Sequence, residues 1–152
     1  METIVVGVDG SDGGAAALEF AAGEADYRGA RLRIVSAWQV PIAAYGGGFA
    51  PPLDPATWDA VRAAAQKVVD DALAKVKERH PSLEAEVVSE QGQPADLLLE
   101  QAGDATMIVV GKRGLGGFKS LLLGSVSQQV VQHATCPVIV VNQAPGTTSP
   151  DS

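Results

Sequence analysis

The chain is predicted to fold as an α/β protein, a single domain built on an open parallel sheet with helices on both faces. Two observations predict this class. Short, continuous apolar runs recur along the sequence, as in strands covered on both sides. Between them, apolar residues return at three- and four-residue spacing, the period of amphipathic helices. Strands that alternate with helices imply right-handed crossovers and a mostly parallel sheet. The length of 152 residues suits one domain with a full apolar core.

Each element has its own signal. Ile4-Val5-Val6-Gly7-Val8 reads as the first strand, and Asp9-Gly10-Ser11-Asp12 breaks it while offering helix caps. Ala15, Leu18, Ala22 and Ala25 mark the apolar face of a helix ending near Gly29. Leu32–Ala37 is the second strand. Pro41 to Pro55 follows as a loop, with Gly46-Gly47-Gly48 and Pro51-Pro52 inside it. From Thr57 to His80 a long helix carries Val61, Ala65, Val68, Ala72 and Val76 on one stripe, and Pro81 stops it. Leu83–Val88 gives the third strand and Pro94–Ala102 a short helix with proline near its start. Met107–Val110 is the fourth strand, followed by the glycine-rich Gly111–Gly117. A helix from about Ser125 to Ala134 and a last strand, Pro137–Val141, complete a domain over residues 1–142. The tail Gln143–Ser152 is rich in Pro, Ser and Thr and is expected to be disordered.

Composition removes several function classes. The chain holds 11 basic and 18 acidic residues, a net charge of −7, which argues against duplex nucleic acid as the main partner. One cysteine, Cys136, excludes an internal disulfide and any CxxC metal site and fits a reducing compartment. No apolar run approaches the ~18 residues of a membrane helix, and the first residues lack a signal-peptide pattern. A cytoplasmic protein without a membrane partner is expected.

In an open α/β sheet, ligands bind outside the carboxyl ends of the strands, at the switch point. After the first strand sits Asp9-Gly10-Ser11. After the fourth sits Gly111-Lys112-Arg113-Gly114-Leu115-Gly116-Gly117-Phe118-Lys119-Ser120, then Gly124-Ser125-Val126-Ser127 at a helix start. Glycines allow close approach of backbone to ligand, and successive N–H groups form an anion-binding concavity. A helix N-terminus adds positive potential. Lys112, Arg113 and Lys119 gather three of the 11 basic residues there, which suits a phosphate. The better-known phosphate motifs fail. Phe118 stands where a P-loop needs glycine, and Lys119 where the dinucleotide fingerprint from Gly114 and Gly116 needs one. A G-x-S-x-G nucleophile elbow is also absent.

The spacing Gly111-x2-Gly114-x9-Gly124-Ser125 remains. With the opening Val6-Gly7-Val8-Asp9-Gly10-Ser11 and the closing Cys136-Pro137-Val138-Ile139-Val140-Val141, the sequence resembles the universal stress protein family, in its nucleotide-binding subgroup. The resemblance runs from about Thr3 to Val141. It implies a Rossmann-like sheet of five parallel strands in the order 3-2-1-4-5, like that of the adenine nucleotide alpha hydrolases. The implied ligand is ATP, with Mg or Mn, in a regulatory protein of the stress response. By the same resemblance, Gly7 and Asp9 flank the adenosine, with Asp9 near the ribose or a nucleotide-bound cation. Ala37 meets the adenine through its backbone. Gly111, Lys112, Arg113, Gly114, Leu115, Gly116 and Gly117 wrap ribose and phosphates, and Gly124, Ser125 and Val126, with Ser127 behind them, hold the phosphates. Cyclic AMP is an alternative ligand, and slow ATP hydrolysis an alternative activity, at the same site. The outer strand Val138, Ile139, Val140 and Val141 is expected to pair with its copy in a homodimer.

Other residues read as structural. A receiver domain would need an acceptor aspartate after the third strand and a lysine after the fifth, where Ser89 and Asn142 stand. His80 and His133 fall at helix C-terminal ends, where imidazole complements the dipole, and no metal or catalytic site is expected from them. Cys136 reads as a small residue ahead of the last strand. Trp38 is expected to anchor the loop that follows it, and Trp58 to pack at the start of the long helix.

Overall fold

The computed structural model describes residues 1–39, 54–113 and 123–142. Among the described residues, five strands and four helices alternate. They are β1 (Thr3–Gly7), α1 (Asp12–Arg28), β2 (Arg31–Trp38), α2 (Pro55–Arg79), β3 (Ala85–Gln91), α3 (Pro94–Gln101), β4 (Met107–Gly111), α4 (Ser125–His133) and β5 (Val138–Val141). All pairings are parallel, in the order β3-β2-β1-β4-β5. The predicted fold class and strand order are both found. The tail from Gln143 and most of the Pro41–Pro55 loop lie outside the described residues; Pro55 itself opens α2.

The strands read as unbroken apolar runs because alternate side chains enter two separate cores. Ile4, Val6, Leu32, Ile34 and Val109 pack against α1 and α2. Val5, Val35, Ile108 and Val110 pack against α3 and Val130 of α4. Ile4, Val5, Val6, Leu32, Ile34 and Val109 have no exposed surface, and each such burial stabilises the fold by about 1.5–3 kcal/mol.

α1 lies close to the sheet because its buried face is small: Gly13, Gly14, Ala17, Leu18, Ala21, Ala22 and Ala25. Ala15, expected on that face, is exposed; the chain enters the helix with Gly13 and Gly14 inward instead. Gly29, in the left-handed region at φ 67°, ends the helix as predicted. On α2 the buried positions are Ala65, Val69, Ala72 and Val76. Val69, not Val68, occupies the centre, and Val68 with Val61 is half-buried at the margin. β3 begins two residues later than predicted and runs on to Gln91. Leu83 is buried beneath the turn before the strand, its N–H bonded to the His80 carbonyl. Ser89-Glu90-Gln91 continue the strand because one side of an edge strand tolerates polar residues.

Asp54 caps α2, accepting hydrogen bonds from the Thr57 hydroxyl at 2.6 Å and the Thr57 N–H at 2.8 Å. These bonds, the hydroxyl's first, hold the Asp54 carboxyl below its ordinary value. A carboxyl lowered in the folded state contributes stability above the unfolded-chain pKa, and that contribution is lost as pH falls through the lower folded value. Asp54→Ala should therefore lower the melting temperature near neutral pH, and the gap to wild type should shrink below about pH 4. Thermal melts across that range test this; a gap independent of pH would remove the cap from the account.

Candidate functional site

The order β3-β2-β1-β4-β5 places the topological switch point between β1 and β4, and three segments converge on their carboxyl ends. The first is the turn after β1. Val8 N–H still bonds the Val35 carbonyl at 2.9 Å, and Gly10 then turns the chain at φ 85°. The Asp9 carboxylate accepts hydrogen bonds from the Ser11 N–H at 2.9 Å and from the Ser11 hydroxyl. The Ser11 oxygen in turn accepts the Gly14 N–H at 3.1 Å, capping α1. This chain of bonds fixes an exposed carboxylate just past the carboxyl end of β1.

The second segment is the end of β4. Here the backbones of α1 and β4 touch without intervening side chains. A Cβ on Gly13 would stand 2.1 Å from the Arg113 carbonyl oxygen, and one on Gly111 would stand 2.5 Å from the Gly13 carbonyl oxygen. Glycine at both positions is what allows the first turn of α1 to rest on this strand end. The buried Nε of Arg113 has no hydrogen-bond partner among the described residues. Such an atom is uncommon in a folded protein and calls for an acceptor.

The third segment is the start of α4. Gly124 is its N-cap, with no side-chain cap bond among the described residues. The peptide of Lys112 ties this start to the sheet. Its N–H donates to the Val141 carbonyl at 2.9 Å, and its carbonyl accepts the Gly124 N–H at 2.8 Å. The Ser127 hydroxyl lies 3.2 Å from the same carbonyl and 3.0 Å from that of Gly124. Ser125 is exposed, Val126 half-buried in the second core, and Ser127 only 2% exposed.

The residues expected at the site thus separate into groups. Gly7, Asp9, Gly111, Lys112, Arg113, Gly124, Ser125, Val126 and Ser127 gather on the segments around the switch point. A Cβ on Gly7 would meet Leu98 of α3 at 2.9 Å, so that position faces the second core. Ala37 sits one strand further along, half-buried near the end of β2. Gly114, Leu115, Gly116 and Gly117 lie outside the described residues. Gly13 was not anticipated; its signal in the sequence is a Gly13-Gly14 pair in the first turn of a helix, where glycine is a poor helix former.

Beside Ala37, the rings of Trp38 and Trp58 meet edge to face with centroids 5.9 Å apart, and the Arg62 guanidinium lies over the Trp38 ring at 5.9 Å. The first turns of α2 bury no residue against the sheet, so this cluster anchors them to the end of β2. His80 Nδ1 lies 3.0 Å from the Asp26 carboxylate, joining the ends of α1 and α2 far from the site. Burial pushes the Cys136 thiol above its ordinary value, opposite to the shift that makes a thiol reactive. Among the described residues no group of three His, Cys, Asp or Glu side chains is placed to hold a metal ion. No described helix is long and apolar enough to cross a membrane.

Fold and site together define an open α/β protein whose candidate site lies at the switch point between β1 and β4. A sequence model of the universal stress protein family matches residues 1–142, and the chain belongs to that family. A universal stress protein of Mycolicibacterium smegmatis is 38% identical over 138 residues, covering 91% of this chain and 45% of the relative. The chain spans about half the length of the curated relatives it matches. Among solved structures, UspA from Lactobacillus plantarum superimposes with TM-score 0.76 at 25% identity, over 92% of this chain and 97% of that one. A universal stress protein in complex with cAMP matches with TM-score 0.68 at 28% identity, over 94% and 98% of the two chains. One from Archaeoglobus fulgidus in complex with dAMP matches with TM-score 0.60 at 27% identity, over 92% and 97%.

Proposed function

We propose that this protein binds an adenine nucleotide, ATP, in the crevice between β1 and β4 and acts as a regulatory protein. The observation that carries the reading is the buried Nε of Arg113, just past β4, which has no hydrogen-bond partner among the described residues. A phosphate oxygen supplies the missing acceptor. The start of α4, which lacks a side-chain cap, offers further N–H donors to the same anion. In this reading Gly111 to Gly117 line the ribose and phosphates, and Gly124, Ser125 and Val126 face the phosphates. Gly7 and Ala37 border the base, and Asp9 reaches the ribose or a cation carried by the nucleotide. Occupancy would change the surface offered to protein partners in the cytoplasm.

A second reading is favoured by the cAMP- and dAMP-bound relatives, whose ligands carry one phosphate. A cyclic monophosphate would fill the adenosine end and leave the Gly124-Ser125 end less occupied. The edge strand β5, half-buried along its four residues, would pair with a second copy.

The protein purified without added nucleotide and then denatured should release ATP or ADP close to one per chain. Calorimetric competition separates the readings: cyclic AMP should displace ATP only weakly. Tighter binding of cyclic AMP moves the assignment to the cyclic nucleotide. Release of nothing, with no binding of either ligand, would overturn nucleotide binding altogether.

A further inference from the structure

We infer that Ser127 is a positioning residue, pinning the base of the glycine-rich segment so that the start of α4 is held for phosphate without the hydroxyl touching the ligand. The inference rests on the nucleotide-binding reading above and deepens it. Ser127 is 2% exposed, and its hydroxyl shares its one proton between the carbonyls of Lys112 and Gly124, at 3.2 and 3.0 Å. Lys112 and Gly124 are the two residues at which the segment leaves β4 and enters α4, and the Gly124 N–H closes that base at 2.8 Å. The Lys112 N–H also binds the Val141 carbonyl, so the pinned base is fixed to β5 as well. A hydroxyl reaching both ends of one segment limits how far they can separate. The exposed Ser125 and the N–H groups of the first turn of α4 then keep one orientation.

The contrast with a general structural role lies in which ligands are affected. A pin at the phosphate end changes affinity for nucleotides with phosphates and leaves adenosine alone. Ser127→Ala should fold, because the Lys112 carbonyl keeps the Gly124 N–H and the Gly124 carbonyl keeps the Gln128 N–H. Its ATP affinity should fall about tenfold, equivalent to about 1.4 kcal/mol. Adenosine affinity should stay within about twofold of wild type, a difference well below that 1.4 kcal/mol. In the ligand-free protein the Gly124 amide should exchange its hydrogen faster than in wild type. Ser127→Thr, which retains the hydroxyl, should restore ATP affinity and slow exchange. Equal losses for ATP and adenosine, or an undiminished ATP affinity, would overturn the inference while leaving nucleotide binding in place. If wild type binds neither ligand, the nucleotide reading has failed by itself. Gly124 exchange then decides the pin: acceleration in Ser127→Ala supports it and no change refutes it.

Discussion

Gly13→Ala should destabilise the protein, although the same substitution in most helices is favourable. Replacing a helical glycine by alanine ordinarily gains up to about 1 kcal/mol. At Gly13 the added methyl would lie 2.1 Å from the Arg113 carbonyl oxygen, a backbone atom that cannot rotate away. The only relief is to lift the first turn of α1 off β4, which disturbs Gly111 as well, because Gly111 rests on the Gly13 carbonyl. Overpacking of this kind costs about 1–3 kcal/mol, and a backbone-to-backbone clash falls at the upper end. The net loss should be about 2 kcal/mol, a drop of about 4–8 °C in melting temperature for a chain of this size. Gly23 in the same helix supplies the control, since nothing lies within 4 Å of a Cβ built there. Gly23→Ala should raise the melting temperature by about 2–4 °C. If both variants are stabilised alike, the contact between α1 and the end of β4 is looser than this geometry requires.

The difference between these two glycines shows where sequence reading stops. Strands β1, β2 and β4 were legible because both faces are buried, so Ile4 to Val6 and Met107 to Val110 leave no ambiguity of period. The end of β3 is not legible because Ser89, Glu90 and Gln91 follow the edge, where polarity carries little information about strand continuation. The stripe of α2 was legible to within one residue, since Val68 and Val69 are interchangeable in a pattern and only packing selects Val69. At the site, glycine spacing announced a backbone that something approaches closely. It could not say that at Gly13 and Gly111 the approaching group is the protein itself. Nor could the sequence reveal that the Nε of Arg113 is buried without a partner among the described residues, or that the Ser127 hydroxyl shares its proton between two carbonyls. Those facts depend on which atoms lose water when distant segments meet. The resemblance points to a ligand class; the geometry separates exposed residues such as Ser125 from engaged ones such as Ser127.

Ser125→Glu tests that division most sharply, because it should move stability and binding in opposite directions. Ser125 is the first residue of α4 and is exposed, so a longer side chain meets no core. A carboxylate in the first turn of a helix complements the dipole and should add about 0.3–1 kcal/mol of stability. The same charge would stand where the nucleotide phosphates are proposed to lie. Two like charges about 4 Å apart near a protein surface repel by about 4 kcal/mol. That repulsion corresponds to roughly a thousandfold loss of ATP affinity. Adenosine carries no phosphate and should bind as it does to wild type. Raising the salt concentration should recover part of the lost ATP affinity, since a partly exposed pair is screened over a Debye length of about 10 Å at 0.1 M. Neutral Ser125→Gln has the bulk without the charge and should cost far less, which separates repulsion from obstruction. The measurement is calorimetry of ATP and adenosine on the three proteins, with a thermal melt of each. A variant that melts at or above wild type and has lost ATP alone would locate the phosphates at α4. A variant that binds ATP as wild type does would put them elsewhere, and the roles of Gly124, Ser125 and Val126 would fall with it.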